Sequence, residues 1–170
     1  MAADSRVQGF LWRLSPGPRA LRFLLNLWGP FRGAGIHVRE IAPDFRRVTV
    51  ELRMRLSNRN YVGTHFGGSL FAMTDPFFMV MMMHNLGPEY VVWDKSGFVR
   101  FLKPARGTVR ATMELTESMV EEAREHTRSG AKFEPTYRVE VKDASGVAVA
   151  AVEKTLHIRR AKAPAIPPAP

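Results

Sequence analysis

The chain has 170 residues, of which 45% are hydrophobic, and it contains no cysteine. This length suits one domain with a real core. The lack of cysteine excludes a disulfide scaffold, a cysteine-based zinc site and a cysteine nucleophile, and it fits a cytoplasmic protein. The net charge of +9 favours an anionic partner, such as nucleic acid, a membrane surface or a phosphate-rich ligand. Because the basic residues are spread over separate segments, we interpret this charge as a generally basic surface.

The two ends of the chain differ in composition from the middle. Residues 1–15 are mixed, without an uninterrupted apolar core, so we expect a flexible lead-in and not a signal peptide. Residues 161–170 are rich in Ala and Pro and predict a disordered tail. We expect one domain over residues 16–160. The most apolar stretch, Leu70–Met83, contains Asp75 and is shorter than the about 20 residues of a membrane span.

The first part of the expected domain predicts one helix and two strands. Apolar residues at helical spacing predict an amphipathic helix over Arg19–Trp28, and Gly29–Pro30 should end it. Ile36–Ile41 is a candidate short strand. In Arg47–Leu56 apolar and polar residues alternate, as in a strand with one apolar face and one wet face. The polar, glycine-rich residues 57–68 predict a loop.

The next segment, Ser69–His84, is too long for an ordinary strand and is apolar on nearly every side. A helix without a polar face must be surrounded by other elements. Gly87–Pro88 should end this helix. The pattern therefore predicts a long central helix.

Alternating segments in the second half of the chain predict further strands. In the last of them, the alternation of apolar and polar residues shifts by one position between Ala151 and Lys154, which predicts a bulge. The charged segment Ser118–Thr127 predicts either a helical turn or an interruption between strands. The predicted strands are Tyr90–Trp93 and Ser96–Leu102 (one long strand or two short ones), Thr108–Leu115, Phe133–Val141 and Val147–Ile158.

These elements present a burial problem with an economical solution. Five or six antiparallel strands each have one apolar face, and one long helix is apolar all round. A sheet that curls around the helix buries both. The pattern therefore predicts an α+β protein with the hotdog arrangement, together with an N-terminal helix.

Asp75 is a carboxylate within the most apolar segment of the chain. Burial of an unpaired charge is costly, so such a group is usually paired, protonated or functional. A functional Asp75 would serve as a general base, and a structural one would pair with an arginine or cap a backbone group. Pro76 deprives the carbonyl of Ala72 of its usual helical partner, which predicts a kink at Asp75.

Glycines and polar residues precede the predicted central helix. Gly67 and Gly68 lie where it should begin, where free N–H groups could hold a carbonyl oxygen, although a simple glycine turn is equally compatible. Asn60 could position water or substrate, and His65 is either an acid–base group or polar surface. Asp75 lies too far along the helix axis for one carbonyl to meet it and these glycines in one chain. This separation predicts a dimer.

The residues from 60 to 76 resemble a known motif. They read NYVGTHFGG and SLFAMTDP, which is similar to the Asn…Gly-x-x-His-Gly-Gly…Asp signature of hotdog-fold thioesterases of the phenylacetate-pathway and human acyl-CoA thioesterase type. The segments from Asp75 to Met79, Tyr90 to Ser96 and Arg100 to Pro104 resemble a bacterial branch of that superfamily more closely. That branch is described as a domain of unknown function or as a tetrameric acyl-CoA thioesterase.

The resemblance implies a role for each matching position. Asp75 would be the catalytic carboxylate, Gly67 the source of the oxyanion-binding N–H, and Asn60 a group that positions substrate or water. Lys95 or Ser96 falls near a serine that the partner chain contributes. Phe66 stands where the family has histidine, with His65 one place earlier. The substrate-binding candidates are His65, Phe66, Gly68, Lys95 and Ser96.

The resulting hypothesis is a homodimeric or homotetrameric hydrolase of acyl-CoA or a similar thioester. The alternative is a non-catalytic hotdog protein that binds acyl groups or coenzyme A, which would fit the displaced histidine. A hydratase is disfavoured because Val80 stands where that pattern requires histidine. The histidines show no metal-ligand spacing, and no nucleic-acid recognition motif is present. We expect no metal, no cofactor and no nucleic-acid partner.

Overall fold

The computed structural model describes residues 16–161. The expected lead-in (1–15) and all but the first residue of the expected tail (161–170) therefore lie outside the described residues. Within residues 16–161, no helix has both the length and the apolar character needed to cross a membrane.

A six-stranded antiparallel sheet forms the body of the domain. Its order is β1-β2-β4-β5-β6-β3, so β1 and β3 are the edge strands. Together with the helices that it enfolds, the sheet confirms the predicted α+β hotdog fold. The strands are β1 (Ile36–Ile41), β2 (Arg47–Arg53), β3 (Tyr90–Phe101), β4 (Thr108–Glu114), β5 (Thr136–Lys142) and β6 (Ala148–Arg160). The helices are α1 (Pro18–Leu27), α2 (Gly29–Ala34), α3 (Gly67–Ala72), α4 (Phe77–Leu86) and α5 (Glu117–Thr127), with a 3₁₀ turn at Leu56–Asn58.

The central helix is interrupted where a kink was predicted. Helix α3 ends at Ala72 and α4 begins at Phe77, with Asp75 in the turn between them. Pro76 has no N–H, so the Ala72 carbonyl accepts instead from the Asp75 N–H at 3.3 Å. The α4 side chains that fill the core against the sheet are Phe77, Phe78, Met81, Met82 and Leu86.

Gly29 and Pro30 do not end the N-terminal helical region. They open a second short helix, α2, because proline needs no hydrogen-bond donor in the first turn of a helix. The side chain of Asn26 on α1 pairs with both backbone groups of Val38, at 2.8 Å and 3.0 Å. Helix α1 is thereby fixed to the free edge of β1.

The charged segment after β4 is a full helix, α5. Thr116 caps it by accepting a hydrogen bond from the Met119 N–H at 3.3 Å. Val120, Ala123 and Thr127 are its buried residues. The segment is therefore helical, which is one of the two predictions, and the helix is longer than the single turn that was predicted.

The strand bounds differ in places from the predicted ones. Strand β2 ends at Arg53, and β3 is one continuous strand with a bulge at Lys95. The strand predicted over Phe133–Val141 begins only at Thr136: Phe133 forms an isolated bridge with Ile158, and Pro135 separates it from β5 because proline cannot donate to the ladder.

The predicted bulge between Ala151 and Lys154 was wrong. Strand β6 keeps an unbroken register through these residues with both of its neighbours. Val152, Lys154 and Leu156 all lie buried on the core face, with Glu153 exposed on the other face. The change of phase in the sequence therefore marks a buried lysine on a regular strand.

Candidate active site around Asp75 and Lys154

Lys154 is a cation within the hydrophobic core. Its side chain is 2% exposed. Its Nζ lies 5.0 Å from the centre of the Phe71 ring. Gly97, opposite Lys154 on β3, makes this packing possible, because a Cβ there would stand 2.6 Å from the Phe71 ring and 3.3 Å from the lysine stem. The glycine leaves room for both side chains.

Two carboxylates compensate this buried charge. The Lys154 Nζ donates a hydrogen bond to Asp75 Oδ1 at 2.6 Å and forms an ion pair with Asp94 Oδ1 at 3.3 Å. A buried ion pair is tolerated only when such partners are close. The cluster joins the turn between α3 and α4 to the facing strands β3 and β6.

Asp75 itself is open to solvent on one side. Its side chain is 48% exposed, although its Oδ1 contacts a lysine that solvent does not reach. The second oxygen, Oδ2, makes no hydrogen bond within residues 16–161. Asp75 is therefore anchored through one oxygen and free to act through the other.

Asp94 occupies a drier position than Asp75. Its side chain is 23% exposed. Burial raises the pKa of Asp94 above its usual range, the Lys154 ammonium opposes this effect, and the negative charge of Asp75 adds to it. Lys154 is thus shared by two carboxylates whose surroundings differ.

Asn60 organises the loop that leads into α3. Its amide donates to the Thr64 hydroxyl at 2.7 Å and to the His65 carbonyl at 3.1 Å. Its oxygen accepts from the backbone N–H groups of Val62 and Thr64. The predicted role in positioning substrate stays a prediction, and the observed contacts hold the loop.

His65 is also built into this loop. It is buried, and its Nε2 bonds to the Gly107 carbonyl at 2.8 Å, which requires the proton to be on Nε2. Burial lowers the pKa of His65, so the neutral ring is favoured. Its Nδ1 is buried without a hydrogen-bond partner. These contacts indicate a ring that supports the loop.

Gly67 and Gly68 open helix α3 where aromatic rings approach the backbone. A Cβ on Gly67 would lie 2.7 Å from the Phe101 ring, and one on Gly68 would lie 2.4 Å from the Phe66 ring. Phe66 itself is exposed. A larger residue at either position would therefore force an exposed phenyl ring to move.

A pocket of about 630 Å³ lies beside this end of α3. Gly67, His65 and Asn60 line it, whereas Asp75 does not. One chain therefore presents the two halves of the predicted site separately. A further cleft of about 650 Å³ contains none of the predicted site residues and is lined by Arg110, Arg138 and Lys142 among others.

Lys95 and Ser96 lie away from Asp75. Lys95 pairs with Glu134. Ser96 is exposed and faces Thr155, one residue along from Lys154 and so on the opposite face of the sheet. Their predicted contact with substrate stays a prediction. Within the described part of the chain, no group of three His, Asp or Glu side chains is placed to hold a metal ion.

Lys154 and Asp94 were not among the sequence-predicted site residues. The signal for Lys154 was its charge at a core-facing position of an apolar strand, which was interpreted as a bulge. Asp94 follows Trp93 with no pattern that distinguishes it from a surface aspartate. Only the pairing of β3 with β6 brings both residues to Asp75.

Solved structures with this fold include thioesterases. A Pseudomonas aeruginosa protein of unknown function, described as a probable thioesterase, is 19% identical with a TM-score of 0.76, over 86% of this chain and 98% of that one. A thioesterase of Haemophilus influenzae is 13% identical with a TM-score of 0.62, over 88% and 95%. The PaaI protein of the E. coli phenylacetic acid degradation operon is 16% identical with a TM-score of 0.58, over 85% and 92%.

The comparison with curated proteins finds no match. One family model, described as a domain of unknown function (DUF4442), matches residues 18–158. This match covers β1 to β5 in full and β6 as far as Ile158, and it includes Asp75, Asp94 and Lys154. The chain therefore belongs to the DUF4442 family, and its fold is that of the hotdog thioesterases.

Proposed function

We propose that the protein hydrolyses an acyl thioester such as an acyl-CoA, with Asp75 as general base or nucleophile. The observation that carries this proposal is the position of Asp75. A buried lysine fixes one of its oxygens at 2.6 Å while nearly half of its side chain faces solvent. A carboxylate that is held in place and still accessible suits attack on a substrate.

The reaction balances with this carboxylate as base. Oδ2 of Asp75 takes a proton from water, the water oxygen attacks the thioester carbon, and the carbon–sulfur bond then breaks. The departing thiolate takes the proton back. The Gly67 N–H at the start of α3 would stabilise the oxyanion that forms in between. As a nucleophile, Asp75 would instead attack the thioester carbon and displace the thiolate, which takes a proton from water, and the mixed anhydride left on Asp75 would then be hydrolysed to the free acid and the carboxylate.

The proposed site is completed by a second chain. Gly67 and Asp75 lie at opposite ends of α3, and the pocket beside Gly67 does not include Asp75. The edge strand β3 exposes Phe98 and Phe101, which supports pairing of two copies along this edge. Asp75 of one chain would then act with Gly67 of the partner subunit.

Two further features support a coenzyme A thioester. The pocket beside Gly67 is also lined by Lys103 and Arg106, and the chain carries a net charge of +9; both features favour binding of the negatively charged phosphates of coenzyme A.

The absence of cysteine supports a cytoplasmic location.

A thiol-release assay of acyl-CoAs from acetyl to palmitoyl, with aryl-CoAs included, tests the proposal. We expect turnover that falls by about 10²–10⁴-fold in Asp75→Asn, since this is the usual contribution of a general base. Glu153→Gln is the matched control, because Glu153 is the exposed neighbour of Lys154 on the other face of β6. Unchanged turnover in Asp75→Asn would refute the mechanism.

The alternative is a protein that binds acyl groups or coenzyme A without turnover. Phe66 favours it, because an exposed phenyl ring occupies the position where the resembling thioesterases have histidine. Calorimetry with coenzyme A and mass spectrometry for co-purified lipid test this alternative. Binding without turnover by the folded oligomer would establish it in place of hydrolysis.

A further inference from the structure

Helix α1 turns an apolar surface toward solvent. Four large side chains form this surface, which we call the α1 face: Phe23, Leu24, Leu27 and Trp28. Each is between 51% and 62% exposed. Their spacing puts them on one continuous side of the helix, and none of the ten residues of α1 is buried. A helix that served only to cover the core would direct these residues inward.

The side of α1 opposite the α1 face holds the helix to the sheet, through polar and apolar contacts. Asn26 pairs with the backbone of Val38, and Arg22 donates to the Arg39 carbonyl at 3.1 Å. Leu21 and Leu25 pack partly against the core. These contacts fix the orientation of the helix and direct the α1 face toward solvent.

The segment around the α1 face is strongly basic. From residue 16 to residue 39 the sequence contains four arginines and no carboxylate, and the next acidic residue is Glu40. Arg19, Arg22 and Arg32 form no ion pair within the described residues. A solvent-exposed apolar strip with Trp and Phe beside unpaired arginines is typical of helices that lie in a membrane interface.

We propose that the α1 face docks the protein on the surface of a membrane that contains anionic lipids. Phe23, Leu24, Leu27 and Trp28 enter the boundary between headgroups and acyl chains, and Arg19 and Arg32 meet lipid phosphates. Charge complementarity favours this occupant over a second copy of the chain. A two-fold contact through α1 would bring two identical sets of unpaired arginines together.

Cosedimentation of the full-length protein with vesicles tests this proposal. We expect binding to phosphatidylcholine vesicles that contain phosphatidylglycerol, much weaker binding to phosphatidylcholine alone, and loss of binding as salt is raised. Leu24→Gln with Leu27→Gln should lower the partition coefficient by about tenfold or more, because two leucine side chains no longer enter the apolar layer. Leu56→Gln is the control, because Leu56 is even more exposed, at 84%, but lies outside the α1 face.

A second pair of variants tests the role of charge. Arg19→Gln with Arg32→Gln should weaken binding to the anionic vesicles, and Arg128→Gln on α5 should change it little. Circular dichroism confirms that each variant is folded. Because substrate is absent, this result is independent of thioester hydrolysis.

Three outcomes would overturn the proposal. The first is equal binding by the Leu24/Leu27 variant and the unmodified protein. The second is failure of the unmodified protein to bind anionic vesicles, which would mean that the α1 face does not dock on a membrane. The third is a smaller oligomer for the Leu24/Leu27 variant in light scattering, which would make the α1 face a subunit interface.

Discussion

The Asp75–Lys154 pair predicts an asymmetric effect of mutation on stability. In Asp75→Ala, a lysine that is 2% exposed keeps only Asp94, at 3.3 Å, as its counter-ion. In Lys154→Met, a chain of similar volume fills the core, and the two carboxylates left behind are 48% and 23% exposed and can be hydrated. The loss of Asp75 should therefore cost more than the loss of Lys154.

The magnitudes follow from burial. Breaking a buried ion pair costs about 3–5 kcal/mol when the remaining charge is stranded. Asp94 compensates Lys154 in part, so we expect the free energy of unfolding to fall by about 3 kcal/mol in Asp75→Ala. For Lys154→Met we expect about 1–2 kcal/mol. The double variant should be more stable than the sum of the two changes implies, with a coupling energy of about 1–3 kcal/mol.

Urea unfolding of the three variants and the unmodified protein measures this cycle. Protein concentration must be the same throughout, because the stability of an oligomer depends on it. If the effects of the two substitutions were additive, with no coupling energy, the inference that the Asp75–Lys154 ion pair stabilises the fold would be refuted. A larger loss for Lys154→Met than for Asp75→Ala would refute the argument from burial.

Turnover provides a second measurement on Lys154→Met. Lys154 fixes Asp75 Oδ1 at 2.6 Å, so its loss should leave the carboxylate less well positioned and lower kcat. A loss of stability alone would reduce the amount of folded enzyme without lowering kcat per folded molecule. Glu153→Gln should leave kcat unchanged.

Three further predictions concern the surroundings of the site. Gly97→Val should lower the free energy of unfolding by about 1–3 kcal/mol and reduce turnover, because its side chain would collide with Phe71, which lies 2.6 Å from the Cβ position. Gly33→Ala is the comparison, because a Cβ at Gly33 meets nothing within 4 Å, and equal losses in the two variants would contradict the steric argument. Burial lowers the pKa of His65, so below about pH 6.5 the unfolded chain binds more protons than the folded one, and the free energy of unfolding should fall as the pH drops. Urea unfolding between about pH 7 and 5 measures this decline, and it should be flatter in His65→Gln. An unchanged slope in that variant would contradict the assignment to His65. Thr116→Ala should lower the thermal midpoint through a loss of about 1 kcal/mol at the α5 cap, with turnover unchanged.

The sequence by itself determined the class of fold. Strict alternation in β2 and β4 predicts strands because side chains on a strand change face at every residue. The apolar segment around Asp75 predicts a surrounded helix, and Pro76 predicts a break at Asp75, because the missing N–H is a local property. Asp75 was singled out for the same kind of reason, as a charge in a segment with no polar face.

The tertiary structure alone decided how that charge is compensated. Lys154 is 79 residues from Asp75, and the two meet because β6 lies beside β3 and beneath the turn between the central helices. A change of phase in the apolar–polar alternation of a strand has two physical explanations: an extra residue that forms a bulge, or a polar group on the buried face. Local sequence cannot separate them, because the energy of a buried lysine depends on carboxylates that come from elsewhere in the chain.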